Sequence, residues 1–239
     1  FTTTTEYQKL SHALSGKGAC ALFGLPASGR AQVYAALCRQ LDKPLCIVTP
    51  GEAEATRFAA DLNTLGIPAA VFPARDYVLR PIEGTAREYE YCRLAVLGEL
   101  VGGRLRAVAV PAEALTQFTT PKEDFCANTR TLHAGDTLLR DDLLAALFGA
   151  GYTRRAQVDG PGQFSVRGDI VDIFAPDQKM PVRMEFWGDE IDTLHTFDLT
   201  TQRREDAIDK FYLSPAREVL FGKPADAAEQ LRAFLAKQR

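Results

Sequence analysis

Leu45-Cys46-Ile47-Val48-Thr49 is an unbroken apolar run that ends at Pro50, and a helix-length segment, Glu52 to Leu65, follows it and stops at Gly66. The same pairing recurs through the first 118 residues. Ala69-Ala70-Val71-Phe72 is closed by Pro73, and Thr85 to Leu100 is a long helical stretch ended by Gly102-Gly103. Arg106 to Val110 runs into Pro111, and a short helical segment follows at Glu113 to Gln117. A strand with one wet face alternates apolar and polar residues. A strand that is apolar throughout is buried on both faces, and such strands separated by helices build a parallel sheet with helices on both sides. An α/β domain of that kind is therefore expected over residues 1–118.

Ala19-Cys20-Ala21-Leu22-Phe23 reads as a further strand, and Gly24 to Ala31 (GLPASGRA) follows it before a helix expected from Gln32 to Leu41. Strand, glycine loop and helix in that order are the setting of a phosphate-binding loop, G-x-x-x-x-G-K-[ST]. Gly24 and Gly29 keep the glycine spacing, but Arg30 stands at the lysine position and Ala31 at the hydroxyl position. Without the hydroxyl there is no protein ligand for magnesium. A planar guanidinium is a poor substitute for a compact ammonium, and Pro26 removes one backbone N–H from the anion cradle. The loop is degenerate, and no cofactor or metal is expected in this chain.

Bulk properties exclude several classes. The net charge of −3 gives no overall pull toward nucleic acid. No apolar run is long enough to span a membrane, and no signal segment opens the chain. Five cysteines (Cys20, Cys38, Cys46, Cys92, Cys126) have no C-x-x-C spacing, and His12, His133 and His195 add no zinc pattern or catalytic partner. Most of the cysteines sit inside apolar runs and read as buried small residues of a reducing cytoplasm. The chain opens at Phe1 and stops inside a helical pattern at Arg239, as part of a longer polypeptide would. Arg75, Arg80, Arg87 and Arg93 interleave with Asp76, Glu83, Glu88 and Glu90, the pattern of a salt-bridged helix surface.

The pattern changes near Thr119. One helix is expected over Asp141 to Phe148, with Gly149 and Gly151 behind it. Strands then follow at Gln163 to Val166, Asp169 to Phe174, Val182 to Trp187 and Glu190 to Phe197, separated by Gly168, by Ala175 to Pro181 and by Gly188-Asp189. That is an antiparallel meander with a helix, an inserted α+β module. Phe174, Phe186 and Trp187 read as core or edge packing. Asp189-Glu190 imitates the acidic end of an ATPase strand, but Gly188 marks it as a turn. A strand at Phe211-Tyr212-Leu213 and a helix from Asp226 to Lys237 close the chain.

The meander reads GQFSVRGDIVDIFAP (Gly162 to Pro176), PVRMEFWGDEID (Pro181 to Asp192) and FDLTTQR (Phe197 to Arg203). This resembles the module shared by the UvrB subunit of bacterial nucleotide excision repair and the transcription-repair coupling factors. The degenerate loop and the short span from Phe72 to Leu94 resemble the amino-terminal UvrB-like region of the coupling factors rather than UvrB. The resemblance implies domain 1a over residues 1–118, a UvrA-binding domain 2 over 119–206, and a domain 1b return segment over 207–239. It implies a non-catalytic, cytoplasmic region that recruits UvrA. The parent would be an ATP-dependent DNA translocase acting on RNA polymerase and DNA through other parts, with domain 2 able to dock within the same polypeptide. Carried over by position, the UvrA-binding sites are Arg154 and Arg167, with Arg155 as a neighbour of Arg154 and Ser165 where UvrB has a further arginine. The competing expectations are a nucleotide-dependent enzyme with Arg30 in place of lysine, and a direct DNA-binding module in the first domain.

Overall fold

The computed structural model describes residues 2–15, 19–41, 43–75, 87–218 and 232 of the chain. The residues fall into two compact units, 1–78 with 99–118 and 79–98 with 119–239.

The first unit opens with α1 (Thr5–Ser15) and α2 (Ala27–Gln40), joined by hydrogen bonds from Tyr7 Oη to Gln40 Oε1 (2.9 Å) and from Gln40 Nε2 to Ser11 Oγ (2.7 Å). β1 (Leu45–Thr49), α3 (Glu52–Thr64) and β2 (Ala69–Val71) follow; β3 (Ala107–Pro111) and the short α5 (Ala112–Leu115) complete it, with α4 (Glu88–Val101) between β2 and β3 in the chain. The sheet is parallel with order β1-β3-β2. The continuous apolar pattern therefore gives the expected parallel pairing, and β3, buried at every residue, lies in the centre. Ala55, Phe58, Ala59 and Leu62 of α3 fill the core on one face with Ile47, Ala107 and Ala109.

Two expectations fail here. Ala19–Phe23 is not a strand; it is irregular, and Leu22 and Phe23 are exposed. An apolar run of five residues has no hydrogen-bond ladder of its own, so it becomes a strand only where a neighbour pairs with it. In consequence β1 is not covered on both faces: Ile47 and Thr49 are buried, whereas Cys46 and Val48 face outward.

The second unit holds α6 (Lys122–Ala127), β4 (Arg130–His133) and α7 (Arg140–Gly149), and then β5 (Thr153–Arg154), β6 (Gln163–Arg167), β7 (Ile170–Phe174), β8 (Val182–Trp187), β9 (Glu190–Phe197), β10 (Arg204–Ala207) and β11 (Lys210–Leu213). β5 to β10 form one sheet in reverse sequence order, β10-β9-β8-β7-β6-β5, while β11 pairs antiparallel with β4. The sheet is a meander apart from β5, which runs parallel to β6, a departure from the fully antiparallel expectation. Gly168 and Gly188 supply positive φ (59° and 61°) at the first position of the two-residue turns β6–β7 and β8–β9. Asp169 and Asp189 do not have positive φ, so both turns have the II′ signature that matches strand twist. Phe164, Val171, Ile173, Met184, Phe186, Ile191 and Leu194 alternate onto one face and bury against Leu143 and Leu147 of α7.

Other expectations meet the structure unevenly. Of the cysteines only Cys38 is buried, and Cys20, Cys46, Cys92 and Cys126 are exposed. Arg93 is not a surface residue. It is fully buried, and it grips Glu218 by Nε at 2.8 Å and by Nη2 at 2.8 Å. Arg80, Asp76 and Glu83, with the Asp226 to Lys237 helix, lie outside the described residues. Among the described residues no helix is long and apolar enough to cross a membrane.

Candidate protein-interaction face

The degenerate loop folds in a way that occupies its own amides. Pro26 is the N-cap, and helix α2 begins at Ala27, ahead of Gly29. Gly29 and Arg30 both donate their N–H groups to the Pro26 carbonyl, at 3.0 and 3.1 Å. A Cβ on Gly29 would meet the Pro26 ring at 3.3 Å, so the proline fills the space beside the second glycine. Ala31 points into the core, and Arg30 pairs loosely with Glu54 at 3.7 Å. Gly24 keeps a positive φ of 81°. The bordering cavity of about 570 Å³ is lined mostly by leucine, valine, isoleucine and cysteine, with Arg30 the one charged lining residue among the described residues. Hydrophobic walls and committed amides make a poor seat for a polyanion.

The chemistry concentrates on the second unit, on the sheet face turned away from α7. Register places Ser165, Asp172, Arg183 and His195 in one row across β6, β7, β8 and β9. Asp172 has no exposed surface, and its carboxylate accepts three hydrogen bonds. Arg183 donates Nε to Oδ1 at 2.7 Å and Nη2 to Oδ2 at 3.0 Å, a bidentate fork, and Arg167 donates Nη2 to Oδ2 at 2.6 Å. Arg183 also lies 4.7 Å over the Phe197 ring and donates Nη1 to the Gln202 carbonyl at 3.2 Å. Hydrogen bonding to Asp172 raises the Arg183 pKa above its usual value, outweighing burial. Ser165 Oγ, beside Asp172, is buried without a hydrogen-bond partner among the described residues.

The FDLTTQR segment covers one end of this face. Asp198 Oδ1 accepts from the Thr201 N–H (2.7 Å) and hydroxyl (2.9 Å), and the Gln202 N–H donates to the Asp198 carbonyl at 2.8 Å. Those bonds hold Asp198 below its usual carboxylate pKa, the Thr201 N–H contributing most. Gln202 is driven to φ 58°, the one non-glycine positive φ among the described residues, which aims its carbonyl at Arg183. Leu199 packs with Val158, Phe174 and Phe197 below the strap.

The residues expected to bind a partner are distributed as follows. Arg167 is on the open face and 45% exposed at its side chain, held by Asp172 through Nη2. Ser165 is on the same face but only 1% exposed. Arg154 and Arg155 are both exposed at the sheet edge. Arg154 pairs with Phe164, a core residue, so alternation sends it toward the α7 side, and Arg155, whose N–H donates to Phe164 O at 2.8 Å, comes next on the Ser165 side. Sequence reasoning missed Asp172 and Arg183 as a unit. Their signal was the strand alternation itself, which puts an acid and an arginine at matching open-face positions. It also missed Trp187, which is neither core nor edge packing: Val182, Met184 and Phe186 alternate into the core, and Trp187 on the other face is 83% exposed. Glu185 is paired with Arg204, and Thr193 donates to it at 3.4 Å.

Residues 131–219 match the UvrB interaction domain family. The chain is 36% identical over 219 residues to the transcription-repair-coupling factor of Mycobacterium tuberculosis (strain CDC 1551 / Oshkosh), covering 87% of this chain and 18% of that protein. It is 35% identical over 208 residues to the corresponding factor of Myxococcus xanthus, covering 82% of this chain and 17% of that protein. It is also 28% identical over 226 residues to the UvrABC system protein B of Chlorobium limicola, covering 88% and 32%. The chain thus spans less than a fifth of the length of the coupling factors it matches.

Proposed function

Because the chain belongs to the UvrB interaction domain family, as a UvrB-like region of the coupling-factor kind, we propose that it recruits UvrA through the open face of the six-stranded sheet. The single observation that carries this reading is the clamped arginine. Asp172 and Arg183 form a buried, fully hydrogen-bonded pair, and Arg167 leans on it with one nitrogen. A guanidinium fixed in place by a carboxylate it only partly uses can grip a second carboxylate at little entropic cost. Arg155 extends the basic character to the sheet edge on this face, Arg154 stands at the same edge turned toward the α7 side, and Ser165 lies buried on the open face beside Asp172. The limits 1–118, 119–206 and 207–239 for domains 1a, 2 and 1b belong to this reading.

The chain performs no catalysis. Support comes from the degenerate loop, where Pro26 uses the Gly29 and Arg30 amides and Ala31 offers no hydroxyl. On this reading the degenerate loop holds neither ATP nor magnesium. The intact polypeptide is an ATP-dependent translocase of the cytoplasm that reaches RNA polymerase and DNA through its other parts, with the open face available for docking within the same polypeptide.

The test uses purified chain and UvrA on a sizing column. The two co-elute, and Arg167→Gln removes the shift while the melting curve stays close to that of the parent chain. The neutral substitution is needed because Glu at 167 would face the buried Asp172 carboxylate. A complex unaffected by Arg167→Gln refutes the assignment of the face.

A further inference from the structure

The cavity beside the degenerate loop is large enough to hold a small molecule. α1, the irregular run that contains Gly24, α2 and β1 each supply a wall of its space of about 570 Å³. That volume lies within the range of small-molecule sites, about 300–1,000 Å³. Every wall belongs to the first unit.

The lining changes character along its length. Arg30, Val33 and Leu37 contribute to it from one face of α2, at helical positions i, i+3 and i+7. The charge stands in the first turn of the helix. An aliphatic wall runs on from it for about 10 Å, the rise of seven residues. Leu22, Phe23 and Val48 also line the cavity and are exposed. Scattered apolar side chains in water are ordinary, but several gathered around one cavity mark a place of binding.

Charge narrows the choice of ligand. Arg30 is half-exposed at its side chain and meets Glu54 at 3.7 Å, and Arg57 reaches the same Glu54 oxygen at 3.8 Å. A partly exposed carboxylate shared by two guanidinia at such distances holds neither strongly, and the three groups together keep a net positive charge. Among the described residues no acid lines the cavity. One cation at the end of an aliphatic wall suits one negative charge on an uncharged body. A polyanion would bring further charges into apolar space, where nothing offsets their desolvation.

We propose that this cavity binds an apolar monoanion, a carboxylate on a hydrocarbon body, with its head on Arg30 and its body along Val33 and Leu37. The site shares no residue with the open face of the six-stranded sheet.

Calorimetry tests it by titrating octanoate, decanoate and decyltrimethylammonium, each below its micelle-forming concentration, into the full chain. Decanoate binds at one site, more tightly than octanoate by about fourfold for each added methylene, and the cation with the same tail does not bind. Arg30→Gln weakens decanoate by about tenfold or more. Val48→Glu, which places a like charge in the lining at an exposed position, removes the binding while the melting curve stays that of the parent chain. No saturable heat with decanoate overturns the proposal. So does a cation that binds as well as the anion, or decanoate binding that neither substitution alters, because both describe adsorption of the tail alone. Light scattering that shows a dimer, returned to monomer by Val48→Glu, assigns the cavity mouth to a second copy of the chain and overturns it too.

Discussion

Arg183 and Arg167 touch the same carboxylate, and the structure assigns them very different weights in stability. Arg183 is the buried partner: it grips both oxygens of Asp172, stacks on Phe197 and ties down the strap at Gln202. Replacing it with methionine keeps most of the aliphatic volume but leaves the Asp172 charge in the sheet with one half-exposed partner. Breaking a buried pair from one side costs about 3–5 kcal/mol. At roughly 2–4 °C per kcal/mol for a chain of this size, Arg183→Met lowers the melting temperature by about 6–20 °C. Arg167→Gln leaves the bidentate fork intact. Its ion pair is screened by water on one side, so its loss costs about 1 kcal/mol or less. Scanning calorimetry of the two variants beside the parent chain reads both shifts. Equal shifts, or an Arg183→Met variant that melts within about 2 °C of the parent, would refute the claim that Asp172 is carried by Arg183 and only borrowed by Arg167. The difference matters for function, because it makes Arg167 the residue that can be changed without unfolding the face it serves.

Two further outcomes follow from the same unit. Gly162 has a φ of 72°, and a Cβ there would lie 2.6 Å from Tyr91 Oη and 3.0 Å from its ring. Gly162→Ala destabilises by about 2–4 kcal/mol in urea titration, combining left-handed strain with the clash, and a Tyr91→Ala background returns the clash portion; no recovery would mean that the strain alone is responsible. Asp198 titrates lower in the folded chain than its usual 3.8 because Thr201 stabilises the carboxylate. Its contribution is therefore present above the unfolded value and lost as pH falls through the lower folded one. Asp198→Asn accordingly melts below the parent chain near neutral pH, and the gap narrows on acidification; a gap that widens toward acid contradicts the sign.

Much of the fold was legible because it rests on local rules. Gly168-Asp169 and Gly188-Asp189 punctuate alternating runs, and the strands at 182–187 and 190–197 have the bounds the alternation implied. What failed depended on partners distant in sequence. Ala19–Phe23 has the composition of a strand and nothing beside it to pair with, and Arg93 looks like a surface residue until Glu218 arrives 125 positions later. Trp187 misleads for another reason: the alternation of Val182, Met184 and Phe186 into the core buries only one of the two consecutive aromatics. Within the candidate site the arginines were visible as single residues, but the clamp was not. It exists only through the cross-strand register that sets Asp172 between Ser165 and Arg183.

The long reach from Arg93 to Glu218, and from β4 to β11, has a consequence for biosynthesis. A nascent chain emerges from its amino end, so the parallel sheet of the first unit has all its strands once residue 111 is out. The second unit must hold helix α4 ready while more than a hundred further residues are translated. Until Glu218 appears, the guanidinium of Arg93 lacks the carboxylate that grips its Nε and Nη2, and β4 waits for β11. Non-local closure of this kind is slow and leaves apolar edges open during synthesis. The segment that reaches residue 218 is thus the one that locks this unit, and premature termination before it forfeits the lock altogether.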